Sequence, residues 1–273
     1  MNLEKQPKVS IIMGIYNCES TLEQSIESII SQTYTNWELI MCDDCSKDGT
    51  YNIAKYYADK YPSKIKVIKN KKNITLGPTL NKCLKLADGK YIGRQDGDDL
   101  SESKRLETQV KFLEENNEFD LVSTSMCIFD ENGDYGIRKL KPEPIGKDLM
   151  KGSVFAHATV IIKTDVMKKL NGYSEELEKK QVEDYDLWFR FFEKGYRGYC
   201  LKDALYKVRE DRDAYKRKSI KRRINEIRVM VEGCKRLKLS PSNYIMIVKP
   251  FIAAIIPQKL LMKYHKNKIK IPS

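Results

Sequence analysis

Short apolar runs alternate with helical periodicity over the first hundred residues. A strand is predicted where apolar, often β-branched residues stand together and a turn follows, and a helix where apolar residues recur every three to four positions. The predicted strands are 9–17, 37–44, 65–70 and 90–96, and the predicted helices between them are 19–32, 50–62 and 78–88. Strands and helices in this alternation are typical of an α/β fold with a mainly parallel sheet.

The alternation of predicted strands and helices is less regular after residue 100. An amphipathic helix is predicted at 104–117, followed by a strand at 119–136 that contains a hairpin-like turn, ENGDYG. Residues 157–173 predict a strand that begins at His157 and a short helix after it. A helix with an aromatic face is predicted at 182–196.

Polar clusters follow three of the predicted strands. They are Tyr16–Asn17, Asp43–Asp44 and Asp96–Asp99. Ligands of open α/β sheets bind at the carboxyl ends of the strands. The three clusters are therefore predicted to meet in one site at one edge of the sheet.

The third cluster places three carboxylates around one glycine. Asp96, Asp98 and Asp99 flank Gly97, and like charges this close repel one another unless a cation lies among them. Oxygen ligands in this arrangement suit Mg²⁺ or Mn²⁺, which keep open positions for substrate phosphates. A solvated acidic turn is the alternative.

A second carboxylate pair, Glu183–Asp184, stands at the predicted start of the last helix. An ionised carboxylate there could act as a general base, although acidic residues also stabilise a helix start through its dipole. The chain has neither GxGxxG nor GxxxxGK[ST], so a Rossmann dinucleotide site and a P-loop are not supported. Its seven cysteines are scattered and it has only two histidines, which argues against structural zinc and for reduced thiols.

The charge is concentrated near the C-terminus. Residues 202–273 hold 20 Lys/Arg and 6 Asp/Glu, a net charge of +14, whereas the whole chain carries +12. Such asymmetry indicates a polyanionic partner, either nucleic acid or an anionic membrane. The N-terminal MNLEKQPK leads directly into a strand pattern, so no export signal is expected.

Residues 242–270 are apolar with basic flanks and are interrupted by Pro250 and Pro257. The uninterrupted apolar stretch is too short to cross about 30 Å of hydrocarbon. It suits the membrane interface, with lysines near anionic headgroups; a helix that closes the core of the domain is the alternative. The lysines are Lys259, Lys263, Lys266, Lys268 and Lys270.

The order of these segments resembles glycosyltransferase family 2. The resemblance covers roughly residues 8–210, and it is carried by VSIIMGIYNCESTLEQSIESIISQTYTNWELIMCDDCSKDGT, NITLGPTLNKCLKLADGKYIGRQDGDD, HATVIIKTDVMKKLNGY and VEDYDLWFRF. It implies a GT-A fold, an α/β sandwich that binds a nucleotide-sugar, with Mn²⁺ or Mg²⁺ as cofactor. The expected organisation is a domain at 1–210, with a nucleotide-binding half at about 1–100 and an acceptor half at about 101–210. A basic amphipathic helical extension is expected at 211–273.

The resemblance also implies roles for residues on the donor side. Gly14 and Tyr16 would line the nucleotide pocket, and Asp44 would hold the base or ribose edge. The Asp96–Gly97–Asp98 segment matches the DxD motif. Asp98 is expected to ligate the metal with Asp96 toward the ribose, and Asp99 competes as a metal ligand. Arg94 would either neutralise donor phosphates or pair with these acids.

On the acceptor side, Asp184 matches the catalytic base of the family. His157 and Glu183 would lie near the diphosphate or the acceptor. Arg209 and Arg212 would form a cationic flap over the nucleotide, or else part of a solvated basic loop.

The processive members of the family carry a QxxRW motif and several membrane spans, which this sequence lacks. The resemblance therefore implies inverting transfer of a single sugar, with a UDP-sugar as donor and a saccharide or lipid-linked saccharide as acceptor, in cell-surface polysaccharide synthesis. The expected location is the cytoplasm, with peripheral attachment to the inner face of the cell membrane.

Two other functions are considered. A sugar nucleotidyltransferase would share the sheet and the metal, but the segment after the first strand, GIYNCEST, lacks the glycine-rich basic loop such an enzyme needs. A non-catalytic nucleic-acid-binding protein would use the basic tail. The sequence contains no recognised nucleic-acid module, so nucleic acid is not expected as a partner.

Overall fold

Nine strands form one sheet in the computed structural model, which describes residues 6–210 and 220–248. The strands are β1 (Val9–Ile15), β2 (Trp37–Asp43), β3 (Ile65–Lys69), β4 (Tyr91–Arg94), β5 (Leu100–Ser101), β6 (Leu121–Asp130), β7 (Gly133–Arg138), β8 (Ile161–Lys163) and β9 (Gly198–Arg209). The helices are α1 (Leu22–Ile30), α2 (Thr50–Lys60), α3 (Leu76–Leu84), α4 (Arg105–Glu115), α5 (Thr164–Lys169), α6 (Glu183–Glu193) and α7 (Ile220–Arg236). Short 3-10 helices cover Gly146–Lys151, His157–Thr159, Leu177–Lys179 and Pro241–Ile247.

The first half of the sheet is parallel, in the order β3-β2-β1-β4. The predicted strands and helices of this half are confirmed, although α3 begins at Leu76 rather than at Pro78. In the register, Ile15 stands opposite Asp43 and Ile12 opposite Arg94. The carboxyl ends of β1, β2 and β4 therefore lie at one edge of the sheet, which brings the predicted polar clusters together.

The second half of the sheet is mixed. β8 runs antiparallel to both β4 and β6, β9 runs parallel to β6, and β5 runs antiparallel to β9. The sheet is thus parallel only in part, because the chain after β4 uses a hairpin and short 3-10 turns as well as helices. Antiparallel neighbours can be joined by such short links, whereas parallel neighbours need a long crossover.

The hairpin-like turn predicted within 119–136 is present, because β6 and β7 pair antiparallel on either side of residues 131–132. β9 was not predicted, because GYCLKDALYKVR has no regular apolar alternation. His157 does not begin a strand. It opens a 3-10 turn in which both the backbone N–H and the hydroxyl of Thr159 donate to the Ala156 carbonyl, each at 2.9 Å, and β8 starts only at Ile161.

Hydrophobic side chains pack on both faces of the sheet. Ile12 faces the cluster beneath α3, α5 and α6, whereas its neighbours Ile11 and Met13 face the cluster beneath α1, α2 and α4. Burial on both faces explains why β1 reads as a continuous apolar run rather than as an alternation.

Buried ion pairs fix the segment that leads into α6. Asp186 accepts from Lys179 Nζ at 3.1 Å and from Arg190 Nε at 2.7 Å, and the Asp186 side chain is 3% exposed. Arg190 also donates to the Gly172 carbonyl at 3.0 Å. The start of α6 is therefore tied to the preceding turn by charges that water cannot screen.

α7 packs on α6 and holds the same turn from the other side. Asn225 Nδ2 donates to the Lys180 carbonyl at 3.1 Å, and Arg222 Nε donates to the Gln181 carbonyl at 3.2 Å. Gly233 lies so close to the ring of Phe189 that a Cβ there would come within 2.2 Å of it. The close packing of these helices thus requires glycine at this position.

The proposed boundary at residue 210 falls just after β9, and the division into domains stays a prediction. Arg212 and the tail lysines Lys259, Lys263, Lys266, Lys268 and Lys270 lie outside the described residues. Within the described ranges, every helix is too short or too polar to cross a membrane.

Replacing Asp186 should destabilise the protein strongly. Asp186→Asn leaves the charge of Lys179 buried without its buried partner, and we expect the free energy of unfolding to fall by about 3 kcal/mol, measured by urea denaturation. The control is Asp165→Asn on α5, whose pair with Lys169 is exposed and should contribute less than about 0.5 kcal/mol. Equal losses for the two variants would contradict this role for Asp186.

Candidate active site

A cavity of about 840 Å³ opens where the ends of β1, β2, β4 and β9 meet the turn before α6. Eight residues selected from the sequence line it: Gly14, Tyr16, Asp44, Arg94, Asp96, Asp98, Glu183 and Arg209. Three other candidates, Asp99, His157 and Asp184, do not contribute to its lining. The predicted convergence of polar clusters is therefore present in the structure.

The acidic loop after β4 brings three carboxylates together. One oxygen from each of Asp96, Asp98 and Asp99 lies within 4.8 Å of the other two. Asp99 is buried, and its Oδ1 accepts from the backbone N–H of Arg209 at 2.8 Å. Burial, and then the charges of Asp96 and Asp98, raise the pKa of Asp99 well above its usual value.

Arg94 supplies a positive charge to the acidic loop. Its guanidinium is buried and lies 2.6 Å from Asp96 Oδ1. Of the two expectations for Arg94, pairing with the acidic cluster is the one found in the structure. Arg94 Nε has no hydrogen-bond partner among the described residues.

Arg105, at the start of α4, lies beneath the same loop and was not identified from the sequence. It is fully buried, and its hydrogen bonds among the described residues go to neutral acceptors, including the Arg94 carbonyl at 2.7 Å and Ser101 Oγ at 2.8 Å. Burial lowers its pKa to about 10. In the sequence Arg105 looks like any polar residue of an amphipathic helix, so no signal pointed to it.

Tyr206 links Arg105 to the acidic loop. The guanidinium of Arg105 lies 4.8 Å from the centre of the Tyr206 ring, and the Tyr206 hydroxyl accepts from the Asp96 N–H at 3.1 Å. The loop is therefore supported from below by a buried cation on the next helix and by an aromatic ring on β9, which is distant in sequence.

Arg209 is anchored rather than solvated. Its Nε donates to the Asp98 carbonyl at 3.0 Å and its terminal nitrogen to Gln24 Oε1 at 2.8 Å, while the guanidinium lies 4.5 Å from the centre of the Phe129 ring. The end of β9 is thus joined to the acidic loop at one side of the cavity.

Asp44 holds the loop at 70–75 with both oxygens. Oδ1 accepts from the Ile74 N–H at 2.8 Å and from Asn70 Nδ2 at 2.9 Å, and Oδ2 accepts from the Thr75 N–H at 2.9 Å. Through this loop, Asn73 and Thr75 also line the cavity. Neither residue was identified from the sequence, because nothing local marks the capture of this loop by Asp44.

His157 lies beside the cavity rather than in its lining. Its Nε2 is 2.8 Å from the Tyr173 hydroxyl, and its ring packs edge-on against Trp188. Burial, and then the charge of Arg94, hold the pKa of His157 well below its usual value. A neutral imidazole in these contacts suits a supporting role, in which His157 holds the side chains of Tyr173 and Trp188 in place.

The acidic pair opens α6 at the other side of the cavity. Burial raises the pKa of both Glu183 and Asp184; the Asp184 charge raises that of Glu183 further, whereas Arg94 and Arg222 oppose the rise at Asp184. A raised pKa suits a carboxylate that accepts a proton. Lys180, Gln181 and Arg222 reach this region but were not identified from the sequence.

Comparison with known proteins identifies the family. The model of "Glycosyl transferase family 2" matches residues 10–169, more than half of the chain. The chain belongs to glycosyl transferase family 2. This glycosyltransferase is 51% identical over 263 residues to EpsE of Bacillus subtilis (strain 168), named as a glycosyltransferase, with 96% of this chain and 95% of that protein covered.

A second relative has a more specific name. The chain is 31% identical to the Escherichia coli protein "UDP-Glc:alpha-D-GlcNAc-diphosphoundecaprenol beta-1,3-glucosyltransferase WfaP", over 73% of this chain and 77% of that protein. The name refers to a nucleotide-sugar donor and a lipid-linked acceptor for WfaP.

The fold of this glycosyltransferase is also that of a solved enzyme. The mannosyltransferase PcManGT from Pyrobaculum calidifontis, solved with GDP-Man and Mn²⁺, superposes with a TM-score of 0.66 at 17% identity, over 96% of this chain and 80% of that chain. This likeness confirms the α/β GT-A fold predicted from the sequence.

Removing the charge of Asp99 should stabilise the metal-free protein. Because the folded-state pKa is raised, ionisation at pH 7 opposes folding, and the opposition fades as the pH falls through the folded-state pKa to the ordinary aspartate value. We expect Asp99→Asn to gain about 1 kcal/mol of unfolding free energy at pH 7 in EDTA, and less at pH 4.

The control for this experiment is Asp59→Asn, which removes an exposed carboxylate paired with Lys55. It should leave stability nearly unchanged. Urea denaturation at both pH values gives the comparison. A loss of stability at pH 7 in Asp99→Asn, in the absence of metal, would show that the ionised form supports the fold.

Proposed function

We propose that this glycosyltransferase moves one sugar from a nucleotide-sugar, with UDP as the nucleotide, to a saccharide or lipid-linked saccharide in cell-surface polysaccharide synthesis. The observation that carries the proposal is the shared cavity. It joins the ends of β1, β2 and β4 to Glu183 at the start of α6, and the proposed base Asp184 is the next residue along the chain. The name of WfaP, which specifies UDP-Glc and a diphosphoundecaprenol-linked acceptor, supports this choice of donor and acceptor.

The nucleoside of the donor would occupy the β1 and β2 end of the cavity. Gly14, Tyr16 and Asp44 line that end. Gly14 lets Leu76, which also lines the cavity, pack closely on β1, because a Cβ at residue 14 would lie only 2.9 Å from Leu76 Cδ1. The exposed ring of Tyr16 offers a face for stacking against a base or ribose.

The acidic loop fits a divalent cation. Three carboxylate oxygens within 4.8 Å of one another form the oxygen-rich donor set that Mg²⁺ and Mn²⁺ prefer. Asp98 and Asp99 would hold the ion, and Asp96, which is paired with Arg94, would lie beside it. When bound, the ion would stabilise the negative charge that develops on the departing diphosphate.

Asp184 would act as general base in an inverting displacement. It takes the proton from the acceptor hydroxyl while the oxygen forms a bond to the anomeric carbon of the donor. The bond between that carbon and the diphosphate oxygen breaks, and its electron pair leaves with the nucleoside diphosphate. Arg94 opposes the rise in the pKa of Asp184 and thus favours the ionised form that a base needs.

The C-terminal part of the chain would attach the enzyme to the inner face of the cell membrane. Ile220 and Ile224 on α7 are 73% and 45% exposed, and Ile245 in the following 3-10 helix is 72% exposed. Lys221 and Arg228 on α7 are exposed as well. Apolar side chains mixed with basic ones suit an anionic bilayer surface, where a lipid-linked acceptor would be found.

Two substitutions should separate donor binding from chemistry. Asp98→Asn should remove the increase in melting temperature that UDP produces in the presence of Mn²⁺, because the metal joins the nucleotide to the acidic loop. Asp184→Asn should keep that increase but lower UDP release from UDP-glucose at least about 100-fold. Asp59→Asn serves as the control with both properties intact. Full turnover in either site variant would refute the proposed roles.

Membrane attachment is tested by co-sedimentation with vesicles. The double variant Ile220→Glu/Ile224→Glu should bind phosphatidylglycerol vesicles about tenfold less than the wild type, since it removes apolar contact and adds repulsion. Ile137→Glu alters an exposed isoleucine on β7 and should bind like the wild type. Equal binding by all three proteins would rule out this surface of α7.

A further inference from the structure

Thr75 has a backbone conformation that few residues other than glycine adopt. Its φ is 76° and its ψ is 171°. An L side chain in this region is strained, and such strain persists only where the surrounding structure enforces it. Strained residues of this kind concentrate at ligand sites.

The surrounding structure enforces the conformation through Asp44. This buried carboxylate accepts the N–H groups of both Ile74 and Thr75, at 2.8 and 2.9 Å. Asn70, which donates to Asp44, also donates to Thr79 Oγ1 at 3.1 Å in the first turn of α3. The loop is therefore held between β2 and α3 at points on both sides of Thr75.

Glycine would satisfy this backbone without strain, so the side chain of Thr75 needs a separate explanation. Thr75 lines the cavity with Gly14, Tyr16 and Asp44. It is half-buried, and no hydrogen bond to its hydroxyl is found within residues 6–210 and 220–248. A strained threonine thus presents an unpaired hydroxyl at the nucleoside end of the cavity.

We infer that Thr75 is a specificity-determining residue whose hydroxyl hydrogen-bonds a polar group of the donor nucleoside. The inference rests on the proposed function, because it assumes that the cavity binds a nucleotide-sugar. A hydroxyl can both donate and accept, so it can pair with a ribose hydroxyl or with the polar edge of a base. The two sources share this chemistry and are separated by the choice of nucleotide.

Three substitutions at one position test the inference. Thr75→Ser keeps the hydroxyl, Thr75→Val keeps the shape without it, and Thr75→Gly removes both the side chain and the strain. Calorimetric titration with UDP, 2′-deoxy-UDP and GDP in Mn²⁺ gives the dissociation constants. We expect UDP to bind about 3- to 10-fold more weakly to the Val and Gly variants and within about twofold of wild type to the Ser variant.

Thermal unfolding without ligand supplies the second measurement. A residue with a purely structural role would not combine a higher melting temperature with weaker UDP binding when it is replaced. Thr75→Gly should melt about 2–4 °C above the wild type because the strain is relieved, even though it binds UDP more weakly. Asn73→Gly is the matched control in the same loop, at a residue outside the positive-φ region, and it should not raise the melting temperature.

The outcomes separate the inference from the proposed function. A loss confined to UDP and absent with 2′-deoxy-UDP places the contact at the ribose 2′-hydroxyl; an equal loss with both places it elsewhere on the nucleoside. Wild-type affinity in Thr75→Val and Thr75→Gly would overturn the role of Thr75 alone. Failure of the wild-type protein to bind any of the three nucleotides would overturn the proposed function together with this inference.

Discussion

The acidic loop after β4 is the constraint around which the site is built. Three carboxylates within 4.8 Å of one another repel unless positive charge is brought close. The chain brings Arg94 from the preceding strand as a direct partner of Asp96 and buries Arg105 of α4 beneath the loop. Arg105 at the start of α4 lies 4.8 Å from the centre of the Tyr206 ring, so a helix and a distant strand meet beneath the loop.

The same loop explains why the two halves of the sheet form one site. β5, immediately after the loop, pairs with β9, and the backbone N–H of Arg209 donates to Asp99. The end of β9 is thereby drawn to the end of β4, although more than 100 residues separate them. On the opposite side, the buried Asp186 pairs and the two α7 side chains, Arg222 and Asn225, hold the turn that presents Glu183 and Asp184. Charged groups buried with their partners thus fix both sides of the cavity.

Sequence patterns predicted the structure well where it depends on residues that are close together in the sequence. The apolar runs of β1 to β4 and the turn chemistry after them predicted the parallel half and the convergence of Tyr16, Asp44 and Asp98. They failed where a contact joins distant segments. β9 lacks alternation because its neighbours change along its length, Arg105 looks like a surface residue, and Thr75 is strained only because Asp44 captures the loop. His157 was assigned to a strand because its apolar context masks the hydrogen bonds of Thr159 that close a turn.

The repulsion among the three carboxylates of the acidic loop bears on the proposed function. Arg94 is committed to Asp96, and Arg105 reaches the loop mainly through neutral groups and an aromatic ring. Asp99, buried beside two like charges, keeps a raised pKa despite both arginines. In the proposed function, a divalent ion would relieve this repulsion at the edge of the sheet where the diphosphate of the donor would lie. Stability given up at Asp99 and at Thr75 is therefore located at the two ends of one cavity, as expected where a protein retains strain for binding.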